Sequence, residues 1–233
     1  MSVRLTQRRS FRWLPEPASE TTDTLVMSVG SWFIDLRIKL DTGALEWGFA
    51  GEEKILNISE SHVTYQWTHD IDSQGYTEPD IGSLPVDPVG DFLETGTAPH
   101  PETGIVTKFE EAWRALSIPF STEFPYAWIL QSEDGRTFIG KAGGIFQAMR
   151  SGTKGPGGMY GFCARREVWK GVEMKWIIKQ ETGHNSALGE LKTLARNLGQ
   201  EEFAWEGSST EGELVNVFGD LYIVRALVHV KPN

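Results

Sequence analysis

Period, more than any motif, limits what this chain can fold into. Apolar and polar residues alternate one by one through segment after segment, a repeat that suits half-buried strands and no amphipathic helix. Leu25, Met27 and Val29 alternate with Thr24, Val26 and Ser28, and Ile34, Leu36 and Ile38 alternate with Asp35, Arg37 and Lys39. After a turn at Asp41-Thr42-Gly43, Leu45, Trp47 and Phe49 alternate with Ala44, Glu46 and Gly48. A turn at Gly51-Glu52-Glu53 leads to a strand through Ile55, Asn57 and Ser59. The next strand carries Val63, Tyr65, Trp67, His69 and Ile71 on one face. Successive strands joined by short turns read as an up-and-down meander.

Residues 72–101 break the rhythm with Pro79, Pro85, Pro88, Pro99 and Pro101, and read as a long loop of the kind that caps a barrel mouth. Phe109, Trp113 and Leu116 are spaced for a helix face, yet Thr107, Phe109, Glu111 and Trp113 also alternate. Neighbouring strands favour the strand reading. Ile118-Pro119 opens a linker that divides the chain into barrel-like halves at 1–119 and 120–233. The second half repeats the meander, with hairpin signals at Asp134-Gly135 and Gly143-Gly144, a glycine-rich loop over 151–158, and a strand with Tyr222, Val224, Ala226, Val228 and Val230 on one face. Leu188, Leu191, Leu194 and Leu198 predict one helix near 186–198, closed by Gly199. The expected fold is therefore mainly β: two antiparallel barrel halves with one helix in the C-terminal half.

A net charge of -10 argues against nucleic acid or an anionic membrane as the main partner. Arg4, Arg8, Arg9 and Arg12 are the local exception, read as a solvated strand edge in preference to a targeting arm. Cys163 is the single cysteine and falls among apolar residues, so it is expected buried and without a disulfide. With no signal-like apolar stretch and no run near the ~20 residues of a spanning helix, the expected location is cytoplasmic. Gly135 to Lys141 approaches a phosphate-binding loop, but Ala142 stands where Ser or Thr would hold magnesium. The histidines show no ligand spacing. Neither cofactor nor metal is expected.

Strand parity nominates a site instead. Tyr65, Trp67 and His69 share a face, with Trp47 and Phe49 on the adjacent strand, Trp113 on another, and Arg114 beside it but directed to the other side. Aromatic walls with few polar groups suit an apolar small molecule. His69 and Tyr65 are the candidate acid–base groups, and Trp47, Trp67, Trp113, Phe49 and Arg114 the candidate binding residues. The competing reading is that the rings only fill a core and His69 sits exposed at a strand end.

Leu45-Glu46-Trp47-Gly48-Phe49-Ala50-Gly51 resembles a strand-and-turn signature of the fungal Hri family. Arg12-Trp13-Leu14-Pro15, Glu94-Thr95-Gly96 and Phe109-Glu110-Glu111-Ala112-Trp113-Arg114 extend the resemblance in order through the first half. It implies two lipocalin-like barrels packed together. It also implies kinship in form with small fungal hetero-Diels–Alderases of secondary metabolism, cofactor-free pericyclases that join a tropolone quinone methide to an alkene of a macrocyclic terpene. The alternative it implies is a non-catalytic protein that binds a casein kinase or carries a lipophilic ligand. A homodimer is left open.

Overall fold

The computed structural model describes residues 2–122, 124–155, 158–183, 210–217 and 220–230, and for 153–155 and 158–160 the backbone alone. The first half contributes β1 (Val3–Trp13), β2 (Thr22–Val29), β3 (Trp32–Lys39), β4 (Leu45–Ile58), β5 (His62–Trp67), β6 (Ile71–Asp72), β7 (Asp80–Pro85), β8 (Asp91–Pro99) and β9 (Val106–Ala115). Each runs antiparallel to its neighbours. β1 pairs with β2 and β9, β3 pairs with β2 and β4, and β5, β7 and β8 complete the circle. Eight strands thus close a barrel, and the two-residue β6 adds to β4.

Several expectations need correction. Residues 72–101 are not a loop: they hold β7 and β8, without which the barrel would stay open. Their alternation is broken because Gly96 sits where a Cβ would lie 2.4 Å from the Phe109 ring, so only glycine fits between the strands. Gly51 makes no turn. β4 runs unbroken through it, and the glycine is required because a Cβ there would meet the Thr68 carbonyl at 2.3 Å. The strand expected from Val63 to Ile71 ends at Trp67, and His69 lies in the turn before β6. β1 is no solvated edge: it is paired on both sides, with Arg8 only 8% exposed.

The second half contributes β10 (Tyr126–Ser132), β11 (Thr137–Ala142), β12 (Ile145–Arg150), β13 (Thr153–Gly155), β14 (Gly158–Tyr160), β15 (Cys163–Lys170), β16 (Lys175–Thr182), β17 (Leu214–Val217) and β18 (Asp220–His229). Seven of these form one antiparallel sheet in the order β16-β15-β12-β11-β10-β18-β17, and β13 pairs antiparallel with β14 where residues 151–158 were expected to be a loop. Among the described residues the outer strands β16 and β17 do not pair with each other, and those strands form a seven-stranded antiparallel sheet. The predicted helix near 186–198 lies outside the described residues. Within them, no helix is long and apolar enough to cross a membrane.

The apolar faces of the first strands do not look into the barrel. Leu25, Met27, Ile34, Leu36 and Ile38 point outward and share one core with Ile129, Phe138, Met149, Ala164 and Ala226 of the second sheet. Burying that outer face against a second sheet removes it from water, at about 25 cal/mol per Å². Polar clamps fix the seam. Arg166 donates to the Leu36 carbonyl at 3.0 Å and to Asp23 at 3.0 Å, and Gln147 donates to the Ile34 carbonyl at 3.3 Å. On its other face the second sheet builds a separate core from Trp128, Leu130, Ile139, Phe146 and the buried Cys163. β18 serves both cores. Its pairing with β10 slips at Arg225, so Tyr222 and Val224 join one core while Ala226 and Val228 join the other, not the single face expected.

Candidate functional site

With the apolar faces turned outward, the alternate residues line the lumen. Trp47 and Phe49 of β4, Tyr65 and Trp67 of β5 and Trp113 of β9 all lie on this inner side, the shared face that parity assigned them. Asp35 and Arg37 of β3, Glu94 of β8 and Glu111 of β9 lie there too, by their registers with those strands. The lumen is therefore aromatic and charged, not the mainly apolar cavity expected.

Across its middle runs a belt of ion pairs. Arg8 donates to Glu20 at 2.9 Å and to Glu111 at 3.3 Å. Arg37 donates to Asp35 at 2.7 Å and lies 3.8 Å from Glu111. The Arg37 guanidinium also lies over the rings of Trp47 and Phe49, at 4.6 and 5.5 Å, a cation–π arrangement. Burial opposes its charge, but Asp35 and Glu111 outweigh that and raise its pKa further. Asp35 Oδ1 is buried with no hydrogen-bond partner, as is His69 Nε2.

Glu94 stands directly opposite Glu111 across β8 and β9, and its Oε2 accepts the Trp113 indole N–H at 2.9 Å. Burial first, and the charge of Glu111 second, push its carboxyl well above the usual carboxylate range. Both effects favour the protonated form of Glu94.

Nearer one mouth, the β5–β6 turn presents His69. Its Nδ1 lies 2.7 Å from Asp72 Oδ2, the same oxygen that accepts the Trp47 indole N–H at 2.8 Å. The other Asp72 oxygen accepts the backbone N–H groups of Gln74 and Gly75, which holds the carboxylate in place. Phe49 stacks on the imidazole at 4.6 Å, and Asp80 lies 3.5 Å from Nε2. Burial works against the imidazolium, but Asp72 and Asp80 together raise its pKa to about 9. His69 is neither exposed nor poised near neutrality; it is a buried cation held between two carboxylates, its side chain 1% exposed.

The nominated residues divide as follows. Trp47, Phe49 and His69 form one cluster, and Trp113 enters through Glu94. Tyr65 stacks with Trp67 at 5.7 Å, and the Trp67 indole donates to Glu53 beside Arg4, a second cluster further along the lumen. Arg114 is elsewhere: it lies on the outer surface, 45% exposed, bidentate to Asp91. The sequence reading overlooked Asp35, Arg37, Glu94, Asp72 and Asp80. Glu111 shares the parity of Trp113, and Glu94 opens a motif already noticed; that was the available signal. A groove of about 600 Å³ lies at the seam of the halves, lined by residues that include Leu45, Glu46, Ser73, Gln74, Phe162 and Glu181.

A closed antiparallel barrel with a charged, aromatic lumen, fused through its outer face to a second antiparallel sheet, defines a two-part β-barrel protein. The chain belongs to the HRI1 family: the family model described as Protein HRI1 matches residues 4–206. In structure it is similar to the uncharacterized protein YLR301w from Saccharomyces cerevisiae, with a TM-score of 0.70 and 17% identity over 97% of this chain and 99% of that one. At that identity the likeness concerns the fold. No curated protein matches.

Proposed function

We propose that the barrel lumen is a small-molecule site whose chemistry is proton donation from Glu94. The observation that carries this reading is the Glu94 carboxyl, hydrogen-bonded to Trp113 and facing Glu111 among the aromatic residues of the inner face, where burial and that neighbouring charge favour its protonated form. A carboxylic acid kept protonated at neutral pH is a general acid in waiting. The reaction that suits it is a hetero-Diels–Alder cyclisation preceded by dehydration. Glu94 gives its proton to a hydroxyl on the carbon beside a tropolone ring, and the C–O bond breaks to release water. Loss of the ring hydroxyl proton then restores the acid and leaves a neutral quinone methide. Trp47, Phe49 and Trp113 would hold that heterodiene against an alkene of a macrocyclic terpene, converting an encounter into a unimolecular step. In the same proposal the second sheet closes as a barrel of its own.

The test incubates the protein with a hydroxymethyl-tropolone and humulenol, and repeats the assay with Glu94→Gln. Adduct formation faster than in buffer, slowed at least about tenfold by the substitution, is the expected result. Equal rates in protein and buffer would end the catalytic reading.

One observation favours a non-catalytic alternative. The arginines Arg4, Arg8, Arg37, Arg165 and Arg166 are committed to internal pairs, while the chain as a whole carries a net charge of -10. An acidic exterior complements a basic partner such as a casein kinase. A pull-down that recovers no kinase at physiological salt would remove it.

A further inference from the structure

At the seam of the halves, the turn after β3 and the residues after β6 meet the residues before β15 and the end of β16, and the groove of about 600 Å³ lies among them. That volume falls in the range of small-molecule sites, ~300–1,000 Å³. Leu45 and Phe162 supply its apolar part. Phe162 is buried in the core that joins the halves, and Leu45 packs against the same core. Gly48 makes room for the Phe162 ring, whose edge a Cβ there would meet at 3.2 Å. Gly43 also lines the groove, and a Cβ on it would meet nothing within 4 Å.

Around these residues stand polar groups with hydrogen-bonding capacity left over. Ser73 Oγ accepts the Gly48 N–H at 2.9 Å and Thr42 Oγ1 accepts the Ala44 N–H at 3.3 Å, so each hydroxyl still has its hydrogen to donate. Gln74 donates its side-chain N–H to the Glu46 carbonyl at 3.1 Å, which leaves its Oε1 as an acceptor. The wall is fixed in advance, because Asp72 Oδ1 accepts the Gln74 backbone N–H at 2.6 Å and the Ser73 N–H bonds the Gly48 carbonyl at 2.9 Å. The two lining carboxylates already have cations: Glu46 pairs with Lys39 at 2.9 Å, and Glu181 pairs with Arg165. Among the described residues no lysine, arginine or histidine lines the groove.

We propose that this groove binds a neutral, polyhydroxylated molecule of the sugar class, independently of the lumen and its chemistry. A sugar hydroxyl donates and accepts at once, and the groove sets donors and acceptors side by side. An anion needs donors with a counter-charge and would meet Glu46 and Glu181 instead. A cation needs unmatched carboxylates, and Lys39 and Arg165 have matched both. The C–H groups of a sugar ring suit Leu45 and Phe162, while its hydroxyls reach Thr42, Ser73 and Gln74, an apolar surface with a few placed polar groups.

The experiment adds glucose, maltose, glucosamine and glucuronate separately to the isotope-labelled full-length protein and follows its N–H signals by NMR. Glucose or maltose is expected to shift the Gln74 side-chain amide and the Phe162 and Thr182 backbone amides, all at the groove. The indole N–H signals of Trp67 and Trp113 should stay in place, which separates this site from the lumen. Glucosamine and glucuronate should each bind about tenfold more weakly than the better neutral sugar. Gln74→Leu removes the acceptor at nearly constant size and should weaken that sugar about tenfold at an unchanged melting temperature. The wild-type titrations decide the matter without that variant. Overturning results are groove amides that do not move at high sugar concentration, shifts confined to the two indoles, a charged analogue that binds as tightly as the better neutral sugar, or a folded Gln74→Leu with undiminished affinity.

Discussion

His69 shows how a single ring can carry the pH response of this molecule. Its folded pKa is raised, so its contribution to stability is complete below about 6.5 and is lost as pH climbs through about 9. Full conversion of that shift would overstate the energy, since Asp80 beside it is half-exposed and solvent screens the pair. About 2 kcal/mol is the expected loss between pH 6.5 and 9, and His69→Gln should flatten the profile in urea titrations run across that range. Glu94 acts in the same direction for the opposite reason. Its raised pKa means the folded state holds a proton that the unfolded chain gives up, so stability falls as pH rises above the ordinary carboxylate range. Glu94→Gln should stabilise the protein at pH 9 and change little at pH 4, read from thermal melts. Much of this site was legible in the sequence: parity alone grouped Trp47, Phe49, Tyr65, Trp67 and Trp113. The carboxylates were not, because a charged residue on an alternating strand looks the same whether its face meets water or a lumen. Nothing in residues 32–39 reveals that a second sheet will take the apolar side.

At the scale of the strand, β7 and β8 explain why regular structure can hide. Gly82 and Gly96 are partners across the ladder, and each yields its volume to a bulky neighbour, the first to Glu94 and the second to Phe109. Removing side chains from the pattern erased the alternation that would have announced two strands. The pair also makes a prediction. Gly96→Ala puts a methyl against an aromatic ring and the Ile81 carbonyl, and should cost about 1–3 kcal/mol by chemical denaturation. Gly82→Ala meets only the end of a flexible carboxylate side chain at 2.2 Å, so it should cost less stability while displacing Glu94 from Trp113. A shift in Trp113 indole N–H resonance with little change in melting temperature is the signature expected. The slip at Arg225 and the break after Trp67 belong to the same lesson, since a bulge or a turn reverses parity without leaving a mark in composition.

The whole molecule is joined through its largest apolar surface. Although the linker near 119 separates the sheets in sequence, one core spans both, and the guanidinium of Arg166 reaches across to the backbone of β3. A single calorimetric transition is therefore expected for the full chain. Phe138→Ala should lower it by about 3–5 kcal/mol, although that residue belongs to the second half and no lumen group touches it. The fragment 1–119 alone should aggregate, because it would expose Met27, Ile34 and Leu36 to water. Two transitions, or a monodisperse fragment by light scattering, would contradict this. The doubled duty of β2 and β3 has a further consequence for how such a sequence can change over time. On each strand, every second position faces the inside of the barrel and the positions between face the neighbouring sheet. Variation can then alter the charged and aromatic interior while the weld between halves stays untouched, two vocabularies written on one line of text.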